Sequence, residues 1–189
     1  MSPRVGLDLL TIINTAADIA DTDGVDNVTL AAIARKLNVR PPSLFNHIQG
    51  LPDLKRHLSL RGLTLLNEKL TEAAKGKMKD EALISMAYGY LEFSRKHTGL
   101  YNLTLSAPEP NDEEMQTASR RIIQLLSNIL SDYHLTNENT IHAIRALRSI
   151  LHGFSSLEQK QAFKLAVEPE ESFQVLMAGF ISYLNQLAN

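Results

Sequence analysis

Apolar positions recur at three- and four-residue spacing along almost the whole chain, as on one face of an α-helix. Leu10, Ile13, Ala17 and Ala20 form a first stripe. Gly24 can end it, because glycine tolerates the left-handed conformation at a helix C-terminus. Thr29 then precedes Leu30, Ile33, Ala34 and Leu37. Threonine is a good N-cap, and the four apolar residues make one face of a short second helix. Asn38 follows it. Asparagine is among the non-glycine residues that best accept φ > 0, so a sharp reversal is predicted there. Pro41 suits the first turn of a third helix, with Leu44 and Ile48 on its inner face. Gly50, Leu51 and Pro52 end that helix and begin a fourth, running to about Lys75.

The texture then changes. Residues 82–93 are apolar nearly all round, the pattern of a helix buried among others. Residues 107–112 read as a loop, and Asp112 can cap the helix after it. Met115, Ala118, Ile122, Leu125 and Ile129 make one further stripe, and Ile144, Leu147, Leu151 and Phe154 another. After Pro169, Phe173, Met177, Phe180, Leu184 and Leu187 repeat at alternating four- and three-residue spacing. There is no strand pattern, internal repeat or low-complexity segment, so the predicted class is all-α.

Composition sets outer bounds. A chain of 189 residues can bury a sizeable core as one compact unit or two small coupled ones. The absence of cysteine excludes disulfides and thiolate metal sites and fits a reducing cytoplasm. Asp8 and Asn14 interrupt the early apolar residues, so no secretory signal pattern is present. No apolar run approaches the roughly 20 residues that span a bilayer. A cytoplasmic protein with no membrane partner is expected.

Charge changes the picture more. Residues 1–26 hold one base, Arg4, against Asp8, Asp18, Asp21, Asp23 and Asp26. Residues 27–61 hold Arg35, Lys36, Arg40, Lys55, Arg56 and Arg61 against Asp53 alone. The whole chain carries a formal net charge of −2. A confined basic stretch in a slightly acidic chain is the footprint of a phosphate-binding face, although a solvated helix face has the same composition. In residues 30–50, LAAIARKLNVRPPSLFNHIQG, a short helix, a three-residue turn and a second short helix make a helix-turn-helix. The second helix of that motif enters the DNA major groove. Ile33, Leu37, Val39, Leu44 and Ile48 supply its inner packing, leaving Arg40, Pro42, Ser43, Asn46 and His47 to face outward. Asn46 suits an adenine edge, Arg40 a guanine or phosphate, and Ser43 and His47 phosphate oxygens.

The run GVDNVTLAAIARKLNVRPPSLFNHIQGLPDL, residues 24–54, resembles the DNA-binding domain of the tetracycline-repressor family of bacterial regulators. Farther on, RKHTGLYNL (95–103) and LHGFSSLE (151–158) are similar to pieces of a C-terminal subtype named for Trp before His-Gly, although this chain has no tryptophan. Asn38 stands where that family usually has glycine, and Arg40 where a capping serine is common. Phe45 replaces a tyrosine that usually donates to a phosphate, which loses that contact and keeps the ring's packing. Leu51 replaces a lysine that reaches the DNA backbone, and Lys55 one turn later can partly substitute. The expected DNA-contacting set is therefore Thr29, Arg40, Pro42, Ser43, Phe45, Asn46, His47 and Lys55.

The resemblance implies an N-terminal helix-turn-helix domain over residues 1–60 and a helical ligand-binding and dimerisation domain over 61–189. It implies a homodimeric, ligand-responsive repressor on palindromic operator DNA. The pocket expected for a small hydrophobic or aromatic ligand draws on Tyr88, Leu91, Glu92, Tyr101, Met115, Ile122, Leu147 and His152. The expected dimer seam draws on Leu147, Leu151, Phe154, Phe173, Met177, Phe180 and Leu184. Intramolecular core is the competing reading of both sets. A helical binding protein that keeps this fold without using DNA is the alternative function. No phosphate loop, His-Glu-x-x-His or nucleophile-elbow pattern points to an enzyme, and no metal or cofactor is expected.

Overall fold

The computed structural model describes residues 7–187. Residues 1–6 and 188–189, the outer ends of the two expected domains, lie outside the described residues. Among the described residues every regular element is helical: α1 (Leu9–Asp23), α2 (Leu30–Lys36), α3 (Leu51–Ala74), α4 (Lys79–Lys96), α5 (Thr98–Leu103), α6 (Glu113–Leu130), α7 (Asn137–Gln159) and α8 (Pro169–Leu187). Short 3-10 helices occupy Val25–Asn27, Pro41–Asn46 and Ser131–Tyr133. None of the described helices is long and apolar enough to cross a membrane.

The chain divides into two compact units. The first ends at Thr64 and takes in Lys96–Glu109, and the second comprises Leu65–Arg95 and the chain from Pro110 onward. The first unit is therefore not one continuous stretch. The segment carrying α5 returns to it from farther along the sequence.

The first unit is assembled from local caps around one core. Asp8 caps α1 by accepting the Thr11 N–H at 2.7 Å, and that hydrogen bond holds its carboxyl below the usual pKa. Thr29 caps α2 by accepting the Ala32 N–H at 3.1 Å. Ile12, Ala16, Ile33, Leu44, Leu54 and Leu58 are fully buried together with Ile48 and Val28. Asp21, near the end of α1, accepts the N–H groups of Gly99 and Leu100 at 3.0 Å each, and His97 Nδ1 lies 2.8 Å away. These are the first donors of α5, which no earlier turn of that helix can satisfy. Gly99 is required there, since a Cβ would run into the carbonyl of Ala20.

In the second unit α4 is buried along most of its length, as its sequence predicts. The Phe154 ring lies tilted against those of Phe163 and Phe173, with centroids 4.9 Å away in each case, and Tyr88 meets Phe173 edge-on. Ser94 and Ser155, both fully buried, share a hydrogen bond of 3.1 Å, and Gln159 donates to the Ser94 carbonyl. Arg95 grips Glu158 through two hydrogen bonds of 2.8 Å, which raise its already high pKa. At the other end of α4 the Tyr133 hydroxyl donates to Asp80 at 2.6 Å.

Candidate nucleic-acid interface

The turn after α2 is a Schellman reversal built on asparagine. Asn38 has φ of 53°, its N–H donates to the Arg35 carbonyl, and the Val39 N–H donates to the Ala34 carbonyl at 2.9 Å. The tolerance of asparagine for this region does the work expected of glycine.

The helix expected after the turn is of the 3-10 type and spans Pro41–Asn46. The two adjacent prolines take the first two positions, where their missing N–H groups cost no intrahelical bond, and runs of 3-10 helix are characteristically short. Ser43 N–H donates to Arg40 and His47 N–H to Leu44, both three residues back. Arg40 occupies the N-cap without a side-chain cap, as the missing serine implies. Leu44 and Ile48 are buried beneath the segment. Asp53 then accepts the Gln49 N–H at 2.8 Å, and Gly50 at φ 101° lets the chain enter α3.

This arrangement leaves Thr29, Arg40, Pro42, Phe45, Asn46 and Lys55 exposed, with Ser43 and His47 half-buried. All eight lie on the first unit. Phe45 departs from expectation. Its ring is 58 % exposed, so the packing expected to survive the loss of a tyrosine hydroxyl is not there. Arg35 and Lys36 are also exposed, Lys36 lying 3.9 Å from Asp18. An open groove of about 660 Å³ runs beside α2, lined by Asp23, Asn27, Thr29, Arg35 and Lys36 among others. Its lining carries both signs of charge.

A capped first helix, a left-handed turn and a short second segment with an outward basic and amide face define a helix-turn-helix DNA-binding unit. Residues 83–180 match the family described as tetracyclin repressor-like, C-terminal domain. The HTH-type transcriptional regulator YobS of Bacillus subtilis (strain 168), itself uncharacterised, is 40 % identical over 185 residues, 97 % of this chain and 96 % of its own. The transcriptional regulator SCO7222, a TetR from Streptomyces coelicolor, superposes with a TM-score of 0.77 at 16 % identity, covering 97 % of this chain and all of that one. The Streptomyces coelicolor TetR family protein ActR, solved in complex with (S)-DNPA, superposes at 0.70 with 17 % identity over 97 % of this chain and 98 % of its own. The chain belongs to the tetracycline-repressor-like family of helix-turn-helix transcriptional regulators.

The residues expected around a ligand separate. Leu91, Met115 and Leu147 are buried in the second unit, and Tyr88, Ile122 and His152 are half-buried there. Burial and a hydrogen bond to Glu170 raise the Tyr88 pKa. Tyr101 belongs to α5 and so to the first unit, where it is buried. Glu92 is corrected outright. It lies on the exposed face of α4 with Glu81 and Lys96, and it pairs with Lys69 at 2.6 Å instead of offering a carboxylate to an enclosed cavity.

The expected dimer seam is corrected too. Leu147, Leu151, Phe154, Phe173, Met177, Phe180 and Leu184 are all between 0 and 4 % exposed within the single chain. Periodicity marks a covered face without saying what covers it, and here the cover is the same chain. The large apolar residues left exposed on α8 are Val175, Leu176 and Tyr183, flanking Gly179.

Proposed function

We propose that this regulator is a homodimeric, ligand-responsive repressor whose two helix-turn-helix units read a palindromic operator. The carrying observation is the outward set Arg40, Pro42, Ser43 and Asn46, held by the buried Leu44 and Ile48 beneath it. Family membership supports operator binding, and two half-sites about 34 Å apart follow from the geometry of paired major-groove readers. Asn46 pairs with an adenine edge, Arg40 with guanine or phosphate, and Ser43, His47 and Lys55 with the backbone.

The ligand proposed is a small hydrophobic or aromatic molecule taken up by the second unit. Leu91, Met115 and Leu147 are each buried apolar residues of this unit, and Tyr88, one turn before Leu91 on α4, adds a hydroxyl, a set that suits such a compound better than a sugar phosphate. A phosphorylated metabolite would require several Arg, Lys or glycine amides. A ligand that prefers the DNA-free state releases operator by its differential affinity.

The test is selection of bound duplexes from genomic fragments, followed by affinity measurement at fixed salt. Asn46→Ala should weaken the selected duplex by about 1–3 kcal/mol and leave non-specific binding nearly unchanged. Lys55→Ala should weaken all sequences alike. Equal loss of both kinds of binding in the Asn46 variant would refute the assigned reading face.

A further inference from the structure

The connection between α7 and α8, residues 160–168, is tied down at both ends and held in the middle by one ring. At its start Glu158 accepts two hydrogen bonds of 2.8 Å from Arg95 of α4, and Gln159 donates to the Ser94 carbonyl at 3.1 Å. At its far end Glu170 lies 3.8 Å from the same guanidinium and accepts a hydrogen bond from the Tyr88 hydroxyl. Tyr88 and Arg95 are two turns apart and share one face of α4. That face anchors the last turn of α7 and the first turn of α8. Between the anchors, Phe163 alone among the described residues 160–168 is not exposed, whereas Leu165 is 90 % exposed.

The Phe163 ring begins a row. Its centroid lies 4.9 Å from that of Phe154, Phe154 is 4.9 Å from Phe173, and Phe173 is 5.3 Å from Tyr88. Phe154 and Phe173 inside the row are buried, while Phe163 at its end is half-buried. A half-buried ring has less apolar contact to lose than a core ring. The chain also enters the connection through Gln161 at φ 51°, a conformation uncommon for a residue other than glycine and a low-cost place to change direction. The middle of the connection can therefore lift while both ends stay tied to α4. Lifting it would uncover Phe154 without disturbing α7 or α8. The place left open favours another aromatic ring, which restores the tilted ring contact. Glu158 and Glu170 beside it already have Arg95 and Tyr88 as partners, so the place calls for no charge on its occupant.

We propose that Phe163 is the built-in occupant of an aromatic subsite on Phe154: the connection lifts, and the ring of a neutral aromatic ligand takes the place of Phe163 in the row. This rests on the reading of the second unit as ligand-taking and adds to it an entrance, a subsite and a competitor within the chain. Ligand affinity is lowered in proportion to the fraction of molecules whose connection is closed.

The probe is N-phenylnaphthylamine, a neutral aromatic that fluoresces on leaving water, titrated into the full chain. Phe163→Ala should bind it about three- to tenfold more tightly than wild type, because the competing ring is gone. Phe163→Leu should fall between the two, and it carries the test if circular dichroism shows Phe163→Ala unfolded. Leu165→Ala, in the same connection but at an exposed position, should bind as wild type does. Tyr133→Phe, which loosens the other end of α4, should also bind as wild type does and so separates plug removal from general loosening. Equal affinity in wild type and the Phe163 variants, no binding by any of them, or an equal gain in Tyr133→Phe would overturn the subsite. Release of a selected operator duplex by the probe, read by fluorescence anisotropy, separates the subsite from the broader reading. Release with equal probe affinity in wild type and Phe163→Ala overturns the subsite and leaves ligand response standing. Tighter probe binding by Phe163→Ala with the operator still held supports the subsite and counts against ligand response.

Discussion

Single residues decide more here by what they donate to than by their type. Tyr133 shows this at a buried position. Its hydroxyl donates to Asp80 at 2.6 Å, and burial together with that carboxylate pushes its pKa well above the ordinary phenol value. A raised folded-state value means that the stabilisation is complete below the unfolded tyrosine pKa of about 10 and is lost as pH rises toward the folded value. Tyr133→Phe should therefore lower stability near neutrality by about 1.5–3 kcal/mol, the worth of a hydrogen bond to a charged acceptor. It should also flatten the alkaline fall in urea midpoint that the wild type shows above about pH 10. Parallel alkaline limbs in the two proteins would count against the assignment.

At the scale of elements, α5 is held to the first unit by one carboxylate and one missing side chain. Asp21→Ala removes the acceptor for two buried N–H groups and should cost about 1–3 kcal/mol, with hydrogen-exchange protection lost first at the Gly99 and Leu100 amides. Gly99→Ala places a methyl against the Ala20 carbonyl and should cost a similar amount through overpacking. Unchanged protection at both amides in the Asp21 variant would contradict the clamp. The caps at Thr29 and Asp112 and the left-handed Asn38 were legible in the sequence, because each acts within a few residues of itself. Asp21 was not, since its partners lie 76 to 79 residues away and it read only as one of several acids. The 3-10 character of Pro41–Asn46 also escaped the apolar spacing, since Leu44 and Ile48 fit an inner α-helical face equally well.

For the whole molecule the proposed homodimer turns on which apolar face a second copy would cover. The stripes of α7 and α8 are easily read as helices, but the most regular one is spent inside the chain. A second face remains. On α8 it holds Val175, 72 % exposed, Leu176, 43 % exposed, and Tyr183 around Gly179. On α7, Ala146, Ile150, Gly153 and Leu157 recur at helical spacing and are half-buried or exposed. A Cβ on Gly153 or Gly179 would meet only open space, so either helix can be approached closely from outside. A twofold interface brings the same patch of each copy together, which suits a face of this composition. Leu176→Glu should then give folded monomers by sedimentation and circular dichroism, since a charge is costly in an apolar seam. Such monomers should lose about 10²–10⁴-fold in affinity for the two-half-site operator, the contribution of linking two readers. Phe180→Glu should instead unfold the chain, because that ring is 4 % exposed within one copy. An unchanged dimer mass for Leu176→Glu, or a folded monomer from Phe180→Glu, would move the seam back to the stripe that the sequence alone suggests.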